Sequence, residues 1–118
     1  MEQLTVYFNP DCSKCKKLQV LLPSQNLDIK WVNYLENPLT EAELTALLEK
    51  IGSQPSAVIR LTEEERAGLS EEEIFERLVE EPGLLNRPII ERGQTAFLCR
   101  PLEIIKEKMP EYDWSDYL

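Results

Sequence analysis

The spacing of apolar residues along the chain changes several times, and each change marks an element. "LTVYF" (4–8) is a short run of apolar, β-branched and aromatic residues, which predicts a buried strand. Asn9 and Pro10 end it. From about Ser13 the spacing becomes helical, with Leu18, Leu21 and Leu22 on one face and Pro23 closing the segment. "DIKWVNY" (28–34) alternates and predicts a second strand. Strand, helix and strand in so short a span imply a right-handed crossover and a parallel pair.

Thr40 followed by Glu43 has the form of a capping box. Leu44, Leu47, Leu48 and Ile51 continue as a helical stripe, and Gly52 suits a C-terminal cap. Residues 55–86 carry no strand pattern. "SAVIR" suits a helical turn, and Thr62 with Glu65 and Ser70 with Glu73 repeat the capping box. Ile74, Phe75, Leu78 and Val79 form an apolar face that runs up to Pro82. This span is expected to be a helical insertion. "RPIIERGQTAFLCRP" (87–101) predicts a β-hairpin with Arg92-Gly93 in its turn. Pro101 suits the first position of a last helix, whose Leu102, Ile105 and Met109 would face the core. The expected order is β-α-β-α, helical insertion, β-β-α, an α/β chain forming one domain over residues 1–118.

Composition narrows the function. A length of 118 residues suits one hydrophobic core. The net charge of −9 argues against a nucleic-acid surface built on bulk electrostatics. No apolar stretch reaches membrane-spanning length. "MEQLTVYF" lacks the basic start and long apolar region of a signal peptide. The expected compartment is the cytoplasm, where thiols stay reduced. There are three cysteines and no histidine. That weighs against a metal site, since structural zinc takes four Cys or His ligands.

Cys12 and Cys15 instead form a Cys-x-x-Cys pair beside a βαβ pattern, which points to thiol chemistry. Cys12 falls at the start of the first predicted helix. Unpaired N–H groups and the helix dipole favour a thiolate there, and Lys14, Lys16 and Lys17 add positive charge. Cys12 is expected to be the outer, nucleophilic thiol. Cys15 sits one helical step inward, on the face of Leu18 and Leu22. It reads equally well as a redox partner or as a small core residue. Cys99 ends an apolar strand and reads as core. The tail "EYDWSDYL" is acidic and aromatic and carries no assigned role.

The six arginines divide. Arg66 lies in an acidic, solvated segment, Arg77 follows Glu73 at helical spacing, and Arg92 is in a turn. Arg60, Arg87 and Arg100 each sit beside apolar residues at the edge of an element. A half-buried arginine needs an anion. Three separate ion pairs with the plentiful carboxylates would provide that. So would convergence beside a thiolate, because guanidinium forks match tetrahedral oxyanions.

"YFNPDCSKCKK", "YLENP", "AVIR", "LLNRPII" and "LCRP" follow in order the motifs of the glutaredoxin-dependent arsenate reductases, and over residues 4 to 109 the chain resembles that thioredoxin-fold family. Its relatives include the Spx-type transcriptional regulators. The resemblance implies a thioredoxin-like (glutaredoxin-like) mixed sheet with a helical insertion. It makes Cys12 the nucleophile and Arg60, Arg87 and Arg100 the oxyanion-binding arginines. It also implies a cis peptide before Pro88, facing the thiol. The implied reaction is attack of the Cys12 thiolate on arsenate, with glutathione as co-substrate, glutaredoxin or thioredoxin as reductant, and no bound cofactor.

Two positions depart from the pattern. Phe8 replaces the histidine that precedes "NP" in such reductases, leaving the helix end and the lysines to activate Cys12. Cys15 replaces a serine or other non-thiol residue, and could resolve a Cys12 adduct as a disulfide. Two alternatives follow. One is a general thiol-disulfide oxidoreductase using Cys12 and Cys15. The other is an Spx-like redox-sensing regulator that binds RNA polymerase, against which the retained "LCRP" counts.

Overall fold

The computed structural model describes residues 2–116 and 118. Four strands, β1 (Glu2–Phe8), β2 (Leu27–Asn33), β3 (Ile89–Arg92) and β4 (Thr95–Leu98), form one mixed sheet in the order β2-β1-β3-β4. β1 pairs parallel with β2 and antiparallel with β3, which pairs antiparallel with β4. The parallel pair and the hairpin predicted from the apolar pattern are both present, and the sheet is the mixed, thioredoxin-like one.

The helices are α1 (Ser13–Leu21), α2 (Glu41–Ile51), α3 (Glu63–Arg66), α4 (Glu71–Glu80) and α5 (Ile105–Lys108). All three capping boxes form, at Thr40, Thr62 and Ser70, each with its glutamate three residues on. Each satisfies donors that a helix start leaves unpaired. Gly52 closes α2 at φ 76°, a left-handed conformation that a side chain would disfavour.

Side chains alternate across the strands, so each face of the sheet carries its own core. Leu4 and Val6 of β1 and Ile90 of β3 pack with Leu18, Leu21, Leu22, Ile105 and Met109 on one face. Ile89 and Ala96 pack with Leu44, Leu47, Leu48, Ile74 and Leu78 on the other. The first face is closed by the C-terminal tail. Trp114 is buried there and its indole N–H donates to the Met109 carbonyl at 2.9 Å.

Several local expectations change. α1 stops at Leu21, and Leu22 opens a tight turn containing Pro23, yet stays fully buried. Residues 55–57 form a single helical turn, but Ile59 then bridges to Leu85 in antiparallel fashion. The turn of the hairpin is Gly93-Gln94, because Arg92 still pairs with Thr95. Pro101 precedes a turn at Leu102–Ile104 rather than occupying a helix's first position, and α5 is only four residues long. Arg77 pairs with Glu81, not Glu73, whose carboxylate is taken by the Ser70 cap. Arg66 is half-buried rather than solvated, and donates to the Ser56 carbonyl.

Candidate active site

The loop between β1 and α1 places the two thiols. Asn9 is one of the few polar residues buried in the core, and it shapes that loop from both ends of its side chain and backbone. Its Oδ1 accepts from Asp11 N–H at 2.9 Å, and its carbonyl accepts from Cys12 N–H at 3.1 Å. Cys12 is thereby held in an extended conformation as the residue capping α1, with φ −92° and ψ 123°.

Cys12 is 9% exposed and Cys15 is 0% exposed. Cys12 is thus more enclosed than its place in an edge loop suggested. As a thiol its sulfur makes no close capping bond. Its anion is nonetheless favoured. Burial pushes the thiol up, but this is outweighed by the backbone N–H of Cys15, the Cys15 thiol, the Lys14 N–H and the Arg87 guanidinium, which together bring it down to about 7. Helix-start N–H groups without a carbonyl partner do this work. The helix end acts as expected from the sequence, while the lysine ammonium groups, expected to add to it, are not among the main causes. Lys16 and Lys17 are exposed, where water screens them. Phe8 is a packing residue that meets Trp31 edge-on at 6.0 Å between ring centres.

Cys15 goes the other way. Burial, opposed by the Asn9 N–H, together with the neighbouring Cys12 charge pushes it up to about 12. Tyr34, a residue the sequence reading passed over, lies in the same neighbourhood. It is 1% exposed and its hydroxyl donates to the Leu85 carbonyl at 3.0 Å. Burial, countered by Arg87, pushes its phenol up to about 12. Its place at the end of a strand pattern gave no signal beyond core packing. Cys99 is buried as expected and belongs to the core around α1 and α5. Burial, then Glu103, pushes it up to about 12.

Arg87 and Arg100 are half-buried, while Arg60 is exposed rather than buried or half-buried as expected. Arg60 ends the apolar "SAVI" run, but Val58 and Ile59 take the interior positions. Arg60 and Arg100 line one open groove of about 360 Å³ with Asn86 and Thr62. Arg100 Nη1 donates to the Arg87 carbonyl at 3.1 Å, and Arg87 Nη1 donates to the Gly83 carbonyl at 3.0 Å. Arg87 Nε is buried with no partner. The peptide between Arg87 and Pro88 is cis, and so is that between Arg100 and Pro101.

Among the described residues the ion pairs are Lys50–Glu91, Arg77–Glu81, Arg92–Glu2 and Arg92–Glu111. None involves Arg60, Arg87 or Arg100. Glu65 also lines the groove, but its carboxylate accepts from the Thr62 N–H at 3.0 Å. The reading of three separate ion pairs therefore does not hold. Among the described residues no group of three or more His, Cys, Asp or Glu is placed to hold a metal ion, and no helix is long and apolar enough to cross a membrane.

The ArsC family model matches residues 7–108, which includes both thiols and all three arginines. The chain belongs to the ArsC family. It is 30% identical to a protein named "Arsenate reductase" from Escherichia coli (strain K12), over 94% of this chain and 84% of that protein. It is 31% identical to "Uncharacterized protein YfgD" of the same organism, over 90% of this chain and 96% of that protein. Among solved structures, an "Arsenate reductase from Vibrio cholerae" superposes with a TM-score of 0.79 at 30% identity, covering 90% of this chain and 97% of that one. The matched span includes Phe8 before "NP" and the second thiol, Cys15, inside the first turn of α1.

Proposed function

We propose that the protein is an arsenate reductase in which Cys12 is the nucleophile and Arg60, Arg87 and Arg100 hold the oxyanion. The observation that carries this reading is the set of three arginines left without a carboxylate, one of them against a thiol lowered to about 7. Plain thiol-disulfide exchange has no use for them. A doubly charged oxyanion does, because guanidinium forks meet its oxygens in pairs and spread the charge.

The Cys12 thiolate attacks arsenic(V), a sulfur–arsenic bond forms, and one oxygen leaves as water. The arginines stabilise the charge on the remaining oxygens, which is electrostatic catalysis. A second thiol then takes Cys12 sulfur, the sulfur–arsenic bond breaks, and its electron pair stays on arsenic, which departs as arsenite. Electrons come from thiols, supplied by glutathione with glutaredoxin or by a thioredoxin-class dithiol. The test is arsenite production by wild type, Cys12→Ser and Arg60→Ala with each reductant system. Turnover by wild type, abolished by the first change and cut sharply by the second, is the expected result. No arsenite from wild type with either system would sink the reading.

A further inference from the structure

Cys15 and Cys99 are equally buried, at 0% exposure, yet their surroundings differ. Cys99 is part of the hydrophobic core and its thiol is directed at the Leu102 carbonyl, 3.7 Å away. Cys15 belongs to neither core cluster. Its neighbours are polar: the Cys12 sulfur, the Asn9 N–H, and the charge of Arg87. Cys12 caps α1 and Cys15 follows three residues on in its first turn, a spacing that puts the two side chains on one face, with Cys12 9% and Cys15 0% exposed. External reagents meet Cys12 first, and Cys15 is placed to reach only what Cys12 has become.

We propose that Cys15 is the resolving thiol, attacking the Cys12 sulfur of the arsenic adduct to close a Cys12–Cys15 disulfide, which a thioredoxin-class dithiol then reduces. The role rests on the arsenate chemistry above for its leaving group. In this step Cys15 loses its proton to an arsenic oxygen or solvent. Its sulfur electron pair forms the S–S bond, the sulfur–arsenic bond breaks, and arsenic(V) becomes arsenic(III). Two thiols supply the two electrons, and no small thiol is consumed. Two of the influences that keep Cys15 protonated are its bond to Cys12 and the Cys12 charge. Both are removed once Cys12 sulfur is bound to arsenic, while the Asn9 N–H and Arg87 remain to favour a Cys15 thiolate, the species that attacks sulfur.

The experiment uses the reduced full chain, freed of small thiols, as wild type, Cys12→Ser and Cys15→Ser. Each is mixed separately with arsenate and with oxidised glutathione, and intact mass, free thiols and arsenite are followed. Wild type is expected to expel glutathione and form the Cys12–Cys15 disulfide, whereas Cys15→Ser keeps glutathione on Cys12 and Cys12→Ser takes up none. With arsenate alone, wild type releases one arsenite per chain and loses two thiols. Cys15→Ser releases none until a small thiol is added. Wild type that retains glutathione on Cys12 overturns the resolving role, and mapping the wild-type disulfide alone decides this if Cys15→Ser does not fold. Closure of the disulfide with oxidised glutathione, but no arsenite with any reductant, upholds Cys15 as resolving thiol and sinks the arsenate reading. Arsenate reduction that needs glutathione in wild type and in Cys15→Ser alike sinks the resolving role and leaves the arsenate reading standing.

Discussion

The two ends of the β1–β3 pair treat arginine in opposite ways. At the end where β1 begins, Arg92 meets Glu2 and Glu111 and also donates to the Lys108 carbonyl at 3.2 Å. Tyr112 donates to Glu2 at 2.6 Å, tying the tail to the first strand. Hydrogen bonding to Arg92 holds the Glu2 and Glu111 carboxyls below their ordinary range. Arg92, Glu2 and Glu111 thus each have an opposite charge within the chain. At the other end, among the described residues, Arg87 and Arg100 donate to carbonyls, Arg87 also favours the Cys12 thiolate, and none of Arg60, Arg87 and Arg100 meets a carboxylate. The chain carries 22 acidic against 13 basic residues, so carboxylates are not scarce. Because none of them pairs with Arg60, Arg87 or Arg100 among the described residues, positive charge is left for an incoming anion at one end, while ion pairing spends it on holding the chain together at the other.

That contrast can be broken most sharply at the thiol. Cys12→Ser should abolish arsenite formation with every reductant while the protein still unfolds cooperatively by circular dichroism. Next in size, alanine at Arg60, Arg87 or Arg100 should lower kcat/KM for arsenate by roughly 10²–10³-fold each, the usual cost of one oxyanion donor. Arg60, being exposed, should fall at the low end of that range.

The pH dependence is smaller but specific. The rate of iodoacetamide alkylation follows the thiolate fraction. It should rise with pH through about 7 for Cys12 and level off above, while Cys15 and Cys99, pushed up to about 12, stay unlabelled. Arg87→Ala should move the Cys12 midpoint upward, because a group favouring the anion is lost. Arg60→Ala should leave it in place. The smallest effect belongs to the satisfied end. Arg92→Ala should leave arsenate kinetics unchanged and cost about 1 kcal/mol in urea unfolding, the scale of a partly exposed ion-pair network.

Much of this was legible in the chain, for reasons that can be named. Three capping boxes, the Gly52 cap, the apolar run "LTVYF" and the alternation in "DIKWVNY" are local signals, and local signals decided those elements. The NP loop and Cys-x-x-Cys at a strand-to-helix junction marked the thiol site before any fold was known. What escaped notice depends on contacts distant in sequence. Tyr34 and Arg87 come together only through the fold, and the burial of Asn9 shows only in it. Glu73 was available to Arg77 by spacing alone, and only the cap geometry shows it already engaged. The tail looked featureless because its partners, Glu2 and Arg92, lie at the start of β1 and the end of β3. The helix end is legible as a source of the low thiol pKa, while the share of the Lys14, Lys16 and Lys17 ammonium groups is smaller than their nearness in sequence suggests.

The central claim is that the unpaired arginines hold an oxyanion and Arg92 does not. Calorimetric titration of arsenate into Cys12→Ser, where binding is uncoupled from chemistry, tests it directly. The account predicts saturable binding that is lost when Arg60, Arg87 or Arg100 is also changed to alanine and retained when Arg92 is. Equal binding in the Arg92 and Arg100 variants, or none in Cys12→Ser itself, would contradict it.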